Sequence, residues 1–406
     1  MSDEVHELEI TDVGYGGDGV GHLEEGIAVF VPFTAVGDRV RVRLTERRKR
    51  FARGEVLKIL SPGSDRTEPE CKYFGRCGGC AYQHLTVEAE LQLKLKQLRD
   101  LLTRIGGFQD LPEISPVVQS PQHLGYRNRL TLHPIRIESE KVHYGYVGVD
   151  GKSRVDIREC PLAMPAVSKY IMSIGRHKWA RKNASRDRPK PASIRVDSRG
   201  DRQLWFGRPP ANIPWPHEEL DDGSVIRVPL GSFTQVNPEV GKALLAWLRK
   251  HTLDNPTDAF VDAYCGAGAF ALAAAPQTKL VYGLELDQTA MQAARVNAES
   301  LELDNCVWID GDVAAMLGGV LDGTGASGSV RLLLDPPRGG CDQAVIDLIL
   351  ATPPDEIVAV SCNASTLARD LAKLKDAYDL VDLALFDMFP RTAHFEAVAV
   401  LKRRQD

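Results

Sequence analysis

No apolar run in this 406-residue chain approaches the roughly 20 residues that a helix needs to cross a bilayer. The longest uncharged stretch, Ala263 to Thr278, is broken by Gly266, Gly268 and Pro276. The opening residues, MSDEVHELE, are acidic and lack the basic-then-apolar layout of a secretory leader. A cytoplasmic protein is therefore the expectation, and a membrane or secreted one is nearly excluded. Charge of one sign is also lacking. Fifty Lys and Arg against 55 Asp and Glu leave a net −5, so the chain as a whole does not announce a nucleic-acid binder. Cysteine is scarce at eight residues, and in a cytoplasmic chain these are not expected to pair as disulfides. Internal repeats and long low-complexity tracts are absent, which excludes a solenoid. What is present is ordinary for a globular protein: 43% hydrophobic residues, enough to bury a sizeable core, and a length that suits two or three domains.

Residues 1 to about 60 read as short strands and turns. Glu7–Thr11, Ile27–Phe33, Arg39–Thr45 and Glu55–Leu60 are the candidate strands, with the glycine-rich segment Gly14–Gly21 as a turn between the first two. Val40-Arg-Val-Arg-Leu44 alternates, which puts its arginines on one sheet face. These features predict a small β-barrel of the OB type. No helix pattern follows the glycines, so they are read as turn residues and not as a nucleotide loop. Ser61-Pro-Gly-Ser64 marks a boundary. Beyond the cysteines that follow it, Val87, Leu91, Leu95, Leu98, Leu102 and Ile105 predict a helix from about Thr86 to Ile105, stopped by Gly106-Gly107. Residues 115–230 mix β-like segments with a basic stretch, Arg176 to Lys190. From Gly231 strands alternate with helices, and this predicts a parallel, doubly wound α/β sheet. Its strands fall near 258–264, 279–285, 306–310, 331–335 and 356–361. A closing antiparallel edge pair is expected near 380–386 and 394–402. The expected division is a barrel over 1–60, a mixed α+β domain over 61–230 and an α/β domain over 231–406.

Basic charge is concentrated locally. Between Asp38 and Arg53 eight basic residues face only two acidic ones, and between Lys169 and Arg208 twelve face three. Basic patches on an acidic chain suit a selective polyanion binder better than a sticky one.

Six segments carry candidate chemistry. Asp262-Ala-Tyr-Cys-Gly-Ala-Gly268 ends the first α/β strand, and its glycines let a ligand approach the backbone at the carboxyl edge of the sheet. Gly283-Leu-Glu-Leu-Asp287 ends the second strand, where an acidic side chain accepts hydrogen bonds from both ribose hydroxyls. Asp310-Gly-Asp312 ends the third, where an adenine would lie. The layout fits a nucleoside cofactor and not a dinucleotide, because G-x-G-x-x-G followed by a long helix is missing. Asp335-Pro-Pro-Arg-Gly-Gly340 follows the fourth strand and Val358-Ala-Val-Ser-Cys-Asn363 ends the fifth. Asp387-Met-Phe-Pro-Arg-Thr-Ala-His-Phe-Glu396 leads into the last strand; taken alone, it is a loop whose glutamate is expected to be solvated.

Taken together, these motifs resemble the S-adenosylmethionine-dependent uracil-C5 RNA methyltransferases over essentially the full length. The residues that carry the resemblance are Asp335-Pro-Pro-Arg-Gly-Gly340, Ser361-Cys-Asn363 with Thr366-Leu-Ala-Arg-Asp370, and Asp387-Met-Phe-Pro390 with His394-x-Glu396. The N-terminal barrel looks like a TRAM domain. The order barrel, Cys-x5-Cys-Gly-Gly-Cys, catalytic domain is most similar to the branch that methylates 23S ribosomal RNA; a related branch acts on the T-loop uridine of transfer RNA. The resemblance implies a class I methyltransferase fold and RNA as partner. It implies Cys362 as the nucleophile that attacks uracil C6 and Glu396 as the base that removes the C5 proton, ionised at pH 7 unless strongly desolvated. For S-adenosylmethionine it implies Gln235, Tyr264, Glu285, Asp312 and Asp335. At Ala269 this chain departs from a position that the family often fills with a polar residue.

Cys71, Cys77, Cys80 and the distant Cys160 match the ligands of a [4Fe–4S] cluster. A zinc site with the same four thiolates stands as the physical alternative. The spacing is not the Cys-x3-Cys-x2-Cys of radical enzymes, so the cluster is expected to be structural or RNA-contacting. Phe233 is a candidate to stack on an extruded base, against a plain core role, and Tyr126-Arg-Asn-Arg129 resembles a family stretch near the RNA. Cytosine and adenine methylation are disfavoured, because no cysteine or aromatic residue follows Asp335-Pro-Pro. A non-catalytic RNA-binding module is disfavoured because the active-site motifs stand intact. A monomer is expected.

Overall fold

The computed structural model describes residues 4–136, 142–184, 189–210, 213–253, 256–325 and 328–405. Arg186 and Arg188 of the expected basic stretch lie outside the described residues. No described helix is long and apolar enough to cross a membrane.

The barrel is a six-stranded sheet of Val5–Glu9, Asp12–Val13, Asp18–His22, Ala28–Pro32, Arg39–Arg47 and Phe51–Ser61. Val40, Val42 and Leu44 are buried on one face of Arg39–Arg47, as alternation requires. The glycine-rich segment is only half turn: Gly14–Gly17 reverses the chain, and Asp18–His22 is already strand. The basic patch is less free than its count implies. Arg41 pairs with Glu7, Arg43 with Glu55, Arg47 with Glu4 and Glu25, Arg48 with Glu46, and Arg53 with Asp18. Glu7 and Glu55 sit on the strands that flank Arg39–Arg47, and the other acidic partners lie on nearby turns and strands, so five of the eight basic residues are ion-paired.

The helix spans Val87–Arg104, and the Thr86 hydroxyl caps it by accepting from the Ala89 N–H. The residues expected to form one central domain are divided between two packing units. A five-stranded sheet and two helices, Pro165–Ile174 and Lys178–Ala184, form the first. The helix Val87–Arg104 and the strand Ile114–Val118 join the catalytic portion instead: Leu98, Leu102 and Ile114 are buried in its core.

The catalytic sheet has eight strands in the order Cys306–Asp310, Leu280–Glu285, Ala259–Ala263, Val330–Leu334, Glu356–Ser361, Glu396–Arg403, Tyr378–Phe386 and Ile114–Val118. The first five are parallel, and Glu396–Arg403 runs antiparallel to its neighbours on both sides. The expected closing pair is antiparallel, but it is not an edge. Glu396–Arg403 inserts between two strands and Ile114–Val118 covers the outer one. Val398, Ala399 and Leu401, buried throughout, suit that interior position. Strand order reverses between Ala259–Ala263 and Val330–Leu334, and the crevice at that point opens on the carboxyl ends of the strands.

One charged cluster joins these layers. Lys94 is fully buried and donates to Glu90 Oε1 and Asp387 Oδ1, both at 2.7 Å, and to the Phe389 carbonyl at 3.3 Å. The Arg391 N–H and guanidinium donate to Glu90 at 2.7 and 3.0 Å. The Arg391 carbonyl accepts from Ala81 and Tyr82, and the Pro390 carbonyl from the Tyr126 hydroxyl. The loop before Glu396 is thus gripped by the helix, the cysteine loop and the Tyr126 segment. Removing one partner of such a network strands buried charge. We therefore expect Lys94→Ala to cost about 3–5 kcal/mol in denaturant unfolding; a loss under about 1 kcal/mol would show the cluster to be dispensable.

Candidate active site

The sheet edge gathers the cofactor candidates. Tyr264 follows Ala259–Ala263 with a φ of 73°, and Gly268 has a φ of 90°; an L residue other than glycine rarely adopts such a backbone, so the loop is held in shape from outside. Glu285 supplies part of that hold, because its carboxylate accepts from the Gly266 N–H at 3.0 Å and the Asp287 N–H at 2.7 Å. Gly283 makes room for Trp308: a Cβ there would lie 2.4 Å from the indole. Asp312 accepts from the Ala314 N–H at 2.8 Å, at the start of the helix Val313–Gly325. Ala269 opens the short helix Ala269–Ala274 and packs against a buried cluster, so its side chain offers a ligand nothing polar. Leu286, next to Glu285, is 66% exposed.

Gln235 lies on the loop before the helix Pro238–Leu253, braced from the central unit. Asn128 donates from its side chain to the Gln235 carbonyl and from its backbone to that of Val236. Arg129 donates to the Ser232 carbonyl at 3.2 Å. The Tyr126–Arg129 stretch therefore holds this loop and the Pro390 loop in place. Phe233 is not core; it is 66% exposed beside them.

Two oxygens here are buried without a partner, Gln235 Oε1 and Asp262 Oδ1. Asp262 was not singled out from the sequence. Its other oxygen accepts from the Ala271 N–H, while burial, followed by the nearby Asp335 charge, pushes its carboxyl up to about 8. Burial also raises Asp335. A buried, acidic, under-satisfied crevice is a receptor for a cation with hydrogen-bond donors. The ammonium of S-adenosylmethionine is such a group and its sulfonium is a second cation, so the residues present fit that cofactor.

The second half of the site lies across the crevice. Cys362 follows the fifth parallel strand, and Asn363 caps the helix Ala364–Leu374. Asn363 Nδ2 donates to the Arg338 carbonyl at 3.0 Å. Arg369 donates to the Gly339 carbonyl at 2.9 Å, and Asp370 accepts from the Cys341 N–H at 2.8 Å. The Thr366–Asp370 motif is thus a clamp on the Asp-Pro-Pro-Arg-Gly-Gly loop. Gly340, with a φ of 78°, leaves it space: a Cβ would meet Arg369 and Asp370 at 2.4 Å.

Cys362, Arg338, Asp335 and Glu396 converge. Burial, then the Glu396 charge, pushes the Cys362 thiol up to about 11; the Arg338 guanidinium opposes this as a hydrogen-bonding cation. In the free protein desolvation therefore outweighs the pull of Arg338 toward a thiolate. Glu396 is 2% exposed, with Oε2 unpartnered. Burial and Asp335 hold its carboxyl well above the usual range, so the solvated glutamate that the loop alone suggests is also corrected. Arg338 and the barrel residue Tyr15, which reaches Asn363, had no assigned role in the sequence reading. Arg338 was legible beside Asp335; Tyr15 carried no signal.

Cys71, Cys77, Cys80 and Cys160 line one pocket together with Tyr73, Phe74 and Tyr146. Gln83 ties two of them, donating to Cys80 Sγ at 3.2 Å and accepting from the Cys71 N–H at 3.0 Å. Among the described residues, no group of three or more His, Cys, Asp or Glu is placed to hold a metal ion.

The fold and the crevice define a class I, S-adenosylmethionine-dependent methyltransferase carrying an RNA-binding type of barrel. A TRAM domain profile matches residues 3–57, and the tRNA (uracil-5-)-methyltransferase profile matches residues 221–312 and 327–404. An RNA methyltransferase of Synechocystis sp. is 32% identical, covering 98% of this chain and 96% of its own length; one of Nostoc sp. is 31% identical with the same coverage. The crystal structure of Pyrococcus abyssi tRNA (uracil-54, C5)-methyltransferase with S-adenosyl-L-homocysteine shares the fold, with a TM-score of 0.72 at 24% identity over 98% of this chain and 100% of that one. The chain belongs to the RNA (uracil-5-)-methyltransferase family.

A thiol pushed up to about 11 is ionised in roughly one molecule in ten thousand at pH 7. Alkylation of Cys362 in the free protein, followed on its own peptide by mass spectrometry, should therefore climb about tenfold per pH unit from 7 to 10. A plateau near pH 7 would show a preformed thiolate instead.

Proposed function

We propose that this enzyme methylates C5 of a uridine in 23S ribosomal RNA through a covalent adduct between Cys362 and uracil C6. The observation that carries the mechanism is the convergence of Cys362, Arg338, Asp335 and Glu396 at the same sheet edge as the cofactor loops. Transfer RNA is the second reading, favoured by the description of the matching family.

S-adenosylmethionine supplies an electrophilic methyl group on a sulfonium cation. Gln235, Tyr264, Glu285, Asp312 and Asp335 hold it, with Asp262 opposite its positive charge; Ala269 contributes backbone alone. Asp262 and Asp335 are placed to ionise against that cation, which offsets the burial that raises them. Cys362 gives up its proton to solvent as its sulfur bonds to C6, and Arg338 stabilises the negative charge that develops. The ring electrons then move to C5, which takes the methyl. Glu396, once ionised, removes the C5 proton, and the C6–S bond breaks to release Cys362. The target base has to leave its stack to reach Cys362, and Phe233 offers it an exposed aromatic face.

The same reading divides the chain into a TRAM barrel over 1–60, a central domain over 61–230, whose helix Val87–Arg104 and strand Ile114–Val118 pack into the catalytic core, and a catalytic domain over 231–406. It assigns Cys71, Cys77, Cys80 and Cys160 to a [4Fe–4S] cluster. The four sulfurs line one pocket, a donor set that fits a four-iron cluster or zinc. The cluster would hold the Ala81–Tyr82 backbone against the Arg391 carbonyl.

The purified enzyme should carry label from S-adenosylmethionine into 23S RNA lacking 5-methyluridine, recovered as 5-methyluridine. Label in transfer RNA alone would reassign the substrate. Cys362→Ala should abolish transfer while cofactor binding survives, and Glu396→Gln should trap a protein–RNA adduct on a denaturing gel. Turnover by the first variant would end the covalent mechanism. Anaerobically purified protein should contain about four irons per chain; stoichiometric zinc would favour the alternative.

A further inference from the structure

The barrel reaches into the catalytic crevice with one side chain. The Tyr15 hydroxyl donates to Asn363 Oδ1 at 3.2 Å and accepts from the Ala364 N–H at 3.1 Å, immediately after Cys362. Its ring meets Phe395, the neighbour of Glu396, edge-on with centroids 6.2 Å apart and planes at 80°. A single residue thus touches the turn that carries the nucleophile and the strand entry that carries the base.

The glycine-rich turn is built to deliver it. Gly16 and Gly17 have φ values of 107° and 106°, and a Cβ on Gly17 would lie 3.0 Å from Ala81 and 3.3 Å from Tyr82. Gln97 on the helix Val87–Arg104 donates to the Val13 and Gly14 carbonyls at 3.2 and 3.0 Å, which fixes the turn against the catalytic portion. Ala364 is fully buried, so without the Tyr15 oxygen its N–H would be a stranded donor at a helix start. Relief of that donor would move the Cys362 turn.

We propose that Tyr15 is a positioning residue for the methyl transfer, so that the active site is complete only when the barrel is docked. It sets Cys362 through Asn363 and Ala364 and takes no part in the bond changes. The proposal rests on the reading of Cys362 as nucleophile. It also gives the barrel a role besides holding RNA: RNA that seats the barrel firmly would order the nucleophile at the same time.

The test compares Tyr15→Phe and Cys362→Ala with the natural enzyme on methyl-deficient RNA. Tyr15→Phe keeps the ring and removes only the hydroxyl. It should lower kcat about tenfold or more, the scale on which misplaced reacting groups lose rate. RNA KM and S-adenosylhomocysteine affinity should stay unchanged, and the melting temperature should fall by no more than a few degrees. A kcat within twofold of the natural enzyme overturns the proposal. So does a parallel fall in kcat, cofactor affinity and melting temperature, which would mark a merely structural tyrosine. Cys362→Ala separates the two readings: an inactive Cys362→Ala beside a fully active Tyr15→Phe removes only Tyr15, whereas an active Cys362→Ala removes the nucleophile and this proposal with it.

Discussion

An ammonium with no contact to water organises this molecule. Lys94 sits at the junction of the long helix, the cysteine loop and the strand entry before Glu396, and its charge is tolerable only because Glu90 and Asp387 both approach to 2.7 Å. Glu90 then fixes Arg391, whose φ of 66° belongs to a residue held by its surroundings. A well-packed apolar cluster of the same volume would be at least as stable. What the ionic cluster adds is geometry: each hydrogen bond has a direction, and together they give the ten residues Asp387–Glu396 one conformation.

The active site follows the opposite logic. Its carboxyls at Asp262, Asp335 and Glu396 are buried with little to offset their charge; burial raises all three, and Asp335 adds to the rise of the other two. The Cys362 thiol is raised by the same burial and by Glu396. In the free protein burial disfavours the charged form of both Cys362 and Glu396. This is an arrangement for conditional chemistry, because the charges become affordable only when a cationic cofactor and a polar base displace water from the crevice. A permanently exposed thiolate would react with any electrophile in its surroundings.

RNA recognition is more economical in charge than a count of arginines suggests. The barrel's arginine strand is largely paired with glutamates on its neighbours, and Arg195 of the central patch is buried against Glu218. Charges on such surfaces position a phosphate only where a carboxylate does not already hold them. Phe233 and, on the basic helix, Trp179 leave aromatic faces exposed.

Local sequence determined the parts. Alternation marked the strand Arg39–Arg47, spacings of three and four with a threonine cap marked the helix Val87–Arg104, and strand–helix alternation placed every strand from Ala259 to Glu356 within a residue or two. The motifs around Asp335, Cys362 and Glu396 were legible because each is a compact string at a strand end. Tertiary structure decided what those strings experience. No local pattern shows that Ile114–Val118 closes the catalytic sheet, since a strand's partner is set by pairing across more than two hundred residues. Nor does one show that Glu396 is buried beside Asp335, that arginines forty residues from a glutamate are neutralised by it, or that Tyr15 reaches Asn363. Burial and charge proximity are properties of the assembled fold, and they set the ionisation on which the chemistry depends.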